Sequence, residues 1–341
     1  MLVTHDECIF NSYDGKQVGW VKDGAQPLQK KSRGSSYHVS EFMTETIGRL
    51  CLTDDQKALH DAENKSKVEK DARVFLKPGK NQQGWWNVDL LVEQIVTRAI
   101  PIFEITHPGM IAVFAFDNST SHGAFAKDAL SANNMNLNPG GKNAVKLRDT
   151  VFNGQIQSMN FSDDHEDAMK QGQPKGIKQV LLERNLWRTD LKLNCKNGCP
   201  NDEEEGFHNC CARTIMSQQP DFLAQKSMVE EMIEARGHKV IFYPKFHCEL
   251  NYIEMYWGAA KRYTREHCDY TWAGLLRTVP EALDQVPITL IRKFARKSAR
   301  YMDVYRKGLT GKAAEYATRK YHSHRRVPES IFSDMEEAGL V

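Results

Sequence analysis

Three acidic residues, Asp6, Asp117 and Glu254, each stand at the edge of an apolar run: THDECIF at the start, FAFDNSTSH in the middle and HCELNYIEMYWG two-thirds along. Hard divalent cations take oxygen ligands, and two-metal phosphoryl chemistry draws a few carboxylates from separate elements to one point. Carboxylates placed this way point to phosphodiester chemistry. Each also has a plainer reading. Asp117 and the Asn-Ser-Thr-Ser that follows suit the N-cap of a helix around 122–130. Glu254 suits a solvated position near a helix N-terminus, where the dipole favours it. Asp6 lies mid-strand, where Asp is disfavoured unless a partner or a cation compensates it. Its neighbour Glu7 points to the opposite face and is expected to stay out of the site. His5, His122 and His247 lie close to the acids in sequence, as local hydrogen-bonding residues or as outer support for the ligands.

A second set of chemistry-bearing residues is Cys195, Cys199, His208, Cys210 and Cys211, five soft ligands within a span that one structural zinc ion closes. In a reducing compartment such clustering favours metal over disulfides. The spacing is not the usual CxxC pair, so free buried thiols are the other reading.

The elements that must position these groups follow from the hydrophobic pattern. MLVTHDECIF reads as a strand, Asp14-Gly15 as a turn, KQVGWV as a returning strand and SSYHVSEFM as a third. Residues 53–83 read as a loop or a marginal helix. Asn87 is a candidate N-cap for a helix carrying Leu91, Ile95 and Ile102, ended or bent by Pro101 and Pro108-Gly109. MIAVFAF and KVIFY read as strands buried on both faces. Asp117 closes the first of them, where open α/β sheets place their ligands. A helix is expected over 221–236, stopped by Gly237. Ile253, Trp257 and Ala260 form one helical stripe, with Glu254 beside it, Gly258 one turn on and Lys261 two turns on.

The 341 residues are 40% hydrophobic and 26% charged, with a net charge of +2, which fits a globular protein with a substantial core. No apolar run approaches a membrane span and no signal-peptide pattern opens the chain, so the expectation is an intracellular protein without a membrane partner. Charge is uneven: from Lys261 to Arg326 there is an excess of about ten positive charges. PITLIRKFARKSARYMDVYRKG sets Ile291, Phe294, Ser298, Met302 and Tyr305 on one helical face and basic residues on the rest. Lys261, Arg292, Lys293, Arg296, Lys297 and Arg300 are therefore candidate contacts to a DNA backbone.

The three acidic stretches, in this order, resemble the catalytic motifs of mariner-superfamily DDE transposases, most closely the transposase-like proteins of fungal genomes. THDECIFNSYDG is similar to the first motif, FDNSTSH to the strand-end Asp-Asn segment, and HCELNYIEMYW to the last block. The resemblance implies Asp6, Asp117 and Glu254 as a catalytic, metal-binding triad holding two magnesium or manganese ions. It implies metal-dependent DNA cleavage and strand transfer in the nucleus, by a protein that pairs as a homodimer and uses no small-molecule cofactor. The implied fold is α/β and ribonuclease-H-like: a mixed five-stranded sheet, three antiparallel strands then two parallel, with flanking helices. The expected division is a first core part over 1–130, an inserted subdomain with the cysteines over 131–237, a second core part over 238–270 and a basic helical region over 271–341. The family carries helix-turn-helix modules before its first catalytic strand, whereas this sequence opens on that strand. The alternative readings are a truncated or domesticated transposase that binds DNA or a partner without cutting, and a ribonuclease-H-like nuclease acting on RNA–DNA hybrids.

Overall fold

A computed structural model describes residues 1–15, 32–64, 67–196, 198–199 and 209–339. The KQVGWV strand and His208 lie outside these described residues. The chain forms two compact units, Met1–Gly123 with Val229–Val341, and Ala124–Met228.

In the first unit, β1 (Leu2–Asn11) takes the centre of the sheet. β2 (Ser36–Thr44) pairs antiparallel with it from Thr4↔Met43 to Asn11↔Ser36. β3 (Gly48–Arg49) and, after helix α1 (Asp54–Asn64), β4 (Val74–Leu76) both pair antiparallel with β2. The segment read as a loop or marginal helix thus holds a helix and a short strand, whose partner is too distant in sequence for local pattern to reveal. Helix α2 (Val88–Gln94) starts where Asn87 Oδ1 accepts the Leu90 N–H at 3.0 Å. The chain continues through a π-turn at Ile95–Ala99 into α3 (Ile100–Thr106). Pro101 therefore does not end the helix. It has no N–H to offer the preceding turn, and the wide π-turn just before it absorbs the mismatch. β5 (Val113–Phe116) then lies parallel to β1.

The second unit contains a hairpin of β6 (Thr150–Phe152) and β7 (Gln155–Gln157) and the helices α4 (Gly176–Glu183), α5 (Ala212–Ser217) and α6 (Pro220–Leu223). Its own core includes Met159, Ile177, Leu181, Ala212 and Met216. Helix α7 (Met228–Glu234) is separate from α6, so the single helix expected over 221–236 is broken. The break falls where the Gln225 amide donates to Lys226 O at 2.9 Å and accepts the Leu130 N–H at 2.9 Å, competing with helical bonds. Gly237 closes the later piece at φ +80°, a conformation that costs glycine little.

β8 (Lys239–Phe242) pairs parallel with β5, giving the order β3–β2–β1–β5–β8, with β4 also on β2. The sheet is mixed, antiparallel on one side of β1 and parallel on the other: the ribonuclease-H-like arrangement, with six strands in place of five. β8 is an edge strand with Lys239 and Ile241 exposed, not one buried on both faces. Helices α8 (Ile253–His267), α9 (Trp272–Asp284), α10 (Ile288–Arg306), α11 (Gly311–Lys320) and α12 (Ile331–Glu337) complete the unit. One sheet face packs Phe10, Val39 and Met43 against Tyr256 and Trp257 of α8, Leu275 of α9 and Ile291 of α10. Side chains of this size contribute roughly 1.5–3 kcal/mol each when fully buried. No helix among the described residues is long and apolar enough to cross a membrane.

Candidate active site

The parallel register Leu2↔Val113, Val3↔Phe114, Thr4↔Ala115 sets β1 beside β5, so that Asp6 on β1 lies next to the chain that carries Asp117 just beyond the end of β5. Glu254 arrives from α8, whose start is tied to β1 by Asn251. The Asn251 amide donates to His5 O at 3.1 Å and its carbonyl accepts from Thr4 Oγ1. Tyr252 OH adds a bond to Met43 O at 3.2 Å. Trp257, one turn beyond Glu254, donates its indole N–H to Asp6 Oδ2 at 3.0 Å. Asn118 donates to Tyr243 O and so joins the chain beyond β5 to the chain beyond β8. The Asn residues of the FDNSTSH and HCELNYIE stretches thus position the acids that neighbour them.

Asp6 is buried, while Asp117 is half exposed and Glu254 exposed. Burial, with Glu254 and then Glu7 and Asp117 as like charges, pushes the Asp6 carboxyl up to about 8. Glu254, exposed as a residue but with its carboxyl partly withdrawn from solvent, is raised by that desolvation and by Asp117, with Lys261 opposing. The three acids therefore feel one another's charge. Among the described residues, Asp6 forms no ion pair. Asp6, Asp117 and Glu254 thus lie within reach of one another's charge, but among the described residues their ligand atoms do not all converge within 4.8 Å of one another. Glu41, opposite Asp6 in the β1–β2 register, has its own partner in the buried Arg73.

Asp117 and Glu254 line a cleft of about 500 Å³ with Ser119, Tyr243, Phe246 and Asn251. A side chain added at Gly258 would meet open space, so the helix face next to Glu254 is accessible. The Phe246 ring is fully exposed, at a backbone φ of +66° that is strained for an aromatic residue. Asp117 does not cap a helix: its Oδ1 accepts the Ser119 N–H at 3.1 Å, and turns follow.

Glu7 does face away from Asp6, yet it is linked to Asp117 through His122. The His122 ring is buried, with Nδ1 2.6 Å from Asp117 Oδ1 and Nε2 3.3 Å from Glu7 Oε1. Burial alone would lower its pKa, but the two carboxylates raise it to about 10. Burial alone would raise Glu7; His5, His122 and the Trp86 indole N–H, at 2.6 Å, hold it down at about 2. Asp117 is lowered by the bond from His122. His5 is pushed down to about 3 by burial, so His122 carries the charge of the pair. His5, Glu7 and His122 offer ligand atoms within 4.8 Å of one another. The sequence signal for this link was the Asp-x4-His spacing of FDNSTSH together with Glu7; only the β1–β5 pairing joins them. His247 bonds Glu249 at 2.6 Å through Nδ1 and stays local.

Of the candidate DNA contacts, Lys293, Arg296 and Lys297 are exposed on α10, and Lys261 is half-buried beside Phe10. Arg292 is exposed but donates to Glu45 O and Thr46 O at 3.1 and 2.7 Å, fastening α10 to the β2–β3 turn. Arg300 is buried and donates to His324 O at 3.0 Å; it braces the C-terminal helices and is not offered to a phosphate. In the other unit, the sulfurs of Cys195, Cys199, Cys210 and Cys211 converge within 4.8 Å.

No known protein family's sequence profile matches the chain, and no curated protein matches it. Among solved structures it is similar to the crystal structure of the Mos1 mariner paired-end complex with Mn, at TM-score 0.42 and 11% identity over 91% of this chain. It spans 56% of the length of that Mos1 chain. It is also similar to the Mos1 transposase paired-end complex with left transposon end, at TM-score 0.24 and 18% identity over 36% of this chain and 30% of the other.

Proposed function

We propose that the chain is the catalytic core of a DDE-type transposase, cutting and joining DNA with divalent metal ions. What supports this reading is that Asp6 on β1, Asp117 just after β5 and Glu254 on α8 feel one another's charge, and that Asp117 and Glu254 line one open cleft. Asp6, Asp117 and Glu254 would hold magnesium or manganese, which when bound supply an activated water or 3′-hydroxyl and charge stabilisation at the leaving oxygen. The chain's own residues set the geometry. Trp257 and Asn251 hold Asp6 and the start of α8 in register. His122 orients Asp117, which lines the cleft, by bonding its Oδ1. Gly258 gives a sugar–phosphate strand room to approach Glu254, and Phe246 offers a flat apolar face to an unstacked base. Lys293, Arg296 and Lys297 supply sequence-independent attraction to phosphates.

Nicking of supercoiled plasmid tests this. The expected result is cleavage that needs Mg²⁺ or Mn²⁺ and falls at least about 100-fold in Glu254→Gln. Nicking that persists in chelator, or at an unchanged rate in that variant, would remove the carboxylates from the reaction.

A further inference from the structure

Four of the eight cysteines meet in the unit Ala124–Met228, well away in sequence from the three acids. Cys195 and Cys199 come from the segment after Leu191, and Cys210 and Cys211 from the two positions just before α5; their sulfurs all lie within 4.8 Å of one another. Cys199 Sγ and Cys211 Sγ are 3.9 Å apart. A disulfide requires about 2.05 Å. Four sulfurs each about 2.3 Å from one ion at tetrahedral angles stand about 3.8 Å apart. The observed separation is that of a tetrahedron's edge, not of a bond.

We propose that Cys195, Cys199, Cys210 and Cys211 form a structural zinc site that staples the 195–199 segment to α5. Four thiolates fill a tetrahedral shell and leave no open position, which marks a structural and not a catalytic ion. The adjacent Cys210 and Cys211 both face the cluster, so His208 is not required as a ligand. Each thiol gives its proton to solvent on binding, and the ion offsets two of the four negative charges that result. Thr214, on the first turn of α5, sets its hydroxyl 3.1 Å from Cys199 Sγ, 3.1 Å from Cys211 Sγ and 3.7 Å from Cys210 Sγ, where it can donate to a thiolate as an outer-shell partner does. Lys196, next to Cys195 in sequence, adds positive charge near the anionic centre. Cys211 is buried and α5 packs through Ala212 and Met216 into the core of its unit, so the ion would be anchored from one side by hydrophobic packing.

Elemental analysis of the full chain, purified without chelator, tests this independently of any DNA reaction. The expected result is one zinc per chain, absent from Cys195→Ser and Cys211→Ser and retained in Cys51→Ser, whose cysteine lies outside the cluster. Cobalt exchanged into the wild-type chain should give thiolate-to-metal charge transfer and tetrahedral d–d bands, a readout that does not depend on whether the variants fold. Metal-free protein with all eight thiols titratable, a disulfide within the cluster, or iron in place of zinc would each overturn the proposal.

Discussion

His122 Nδ1 lies 2.6 Å from Asp117 Oδ1, and the same ring reaches Glu7 on the neighbouring strand. A cleft carboxylate is thereby held by a buried imidazolium, itself held by a second carboxylate that faces away from Asp6. The arrangement fixes Asp117 without burying it, as the proposed metal ligation would require.

The pH dependence of stability follows from this link. His122 is raised from 6.5 to about 10, so its contribution is complete below pH 6.5 and is lost as pH rises toward 10. Glu7 is lowered from 4.5 to about 2, so its contribution is complete above pH 4.5 and is lost as pH falls toward 2. His122→Gln should cost about 1.5–3 kcal/mol at neutral pH, the range for hydrogen bonds to charged groups. Urea melts at several pH values should show the gap between variant and wild type closing on the alkaline side. A gap that stays constant there would mean that His122 is not charged.

Asp6 runs opposite to Glu7. Its carboxyl is raised from 3.8 to about 8, so ionisation destabilises the metal-free fold increasingly as pH rises between those values. Asp6→Asn keeps an oxygen for the Trp257 indole N–H and removes the charge. It should stabilise metal-free protein at neutral pH by about 1–3 kcal/mol while abolishing cleavage. Loss of stability in thermal melts without metal would show that Asp6 is already compensated.

Much of this site was legible in the residues, and the rest depended on pairing between distant segments. β1, the Asn87 cap and the Ile253–Trp257–Ala260 stripe follow from alternation, a cap residue and helical spacing, all local signals. Burial of Ile253, Trp257 and Ala260 with Glu254 exposed agrees with that stripe. The Glu7–His122–Asp117 link joins two strands whose adjacency no local pattern encodes. Arg300 misled for a related reason: it sits among basic neighbours on a basic helix, and only the returning chain at His324 shows that it is enclosed. The expected 221–236 helix failed at Gln225, whose amide bonds to Leu130 N, a partner almost a hundred positions earlier.

Binding through α10 should be electrostatic and indifferent to sequence. Replacing Lys293, Arg296 and Lys297 with Ala should lower the slope of log affinity for duplex DNA against log salt by about 0.9 per lost phosphate contact. Fluorescence anisotropy at several salt concentrations measures it, and an unchanged slope would place the DNA elsewhere.

Phe246 should matter for unstacked DNA more than for intact duplex. Phe246→Ala is expected to weaken binding to single-stranded or gapped substrate by about 1–3 kcal/mol and to leave duplex affinity nearly unchanged. Equal loss on both substrates would argue against stacking.

The most direct measurement is Mn²⁺ binding followed by electron paramagnetic resonance in wild type, Asp6→Asn, Asp117→Asn and Glu254→Gln. Wild-type protein should bind Mn²⁺ in competition with Mg²⁺, and each variant should weaken that binding at least about tenfold. Wild-type protein that leaves Mn²⁺ free, or variants that bind it as well as wild type, would contradict a shared cation site at these three acids.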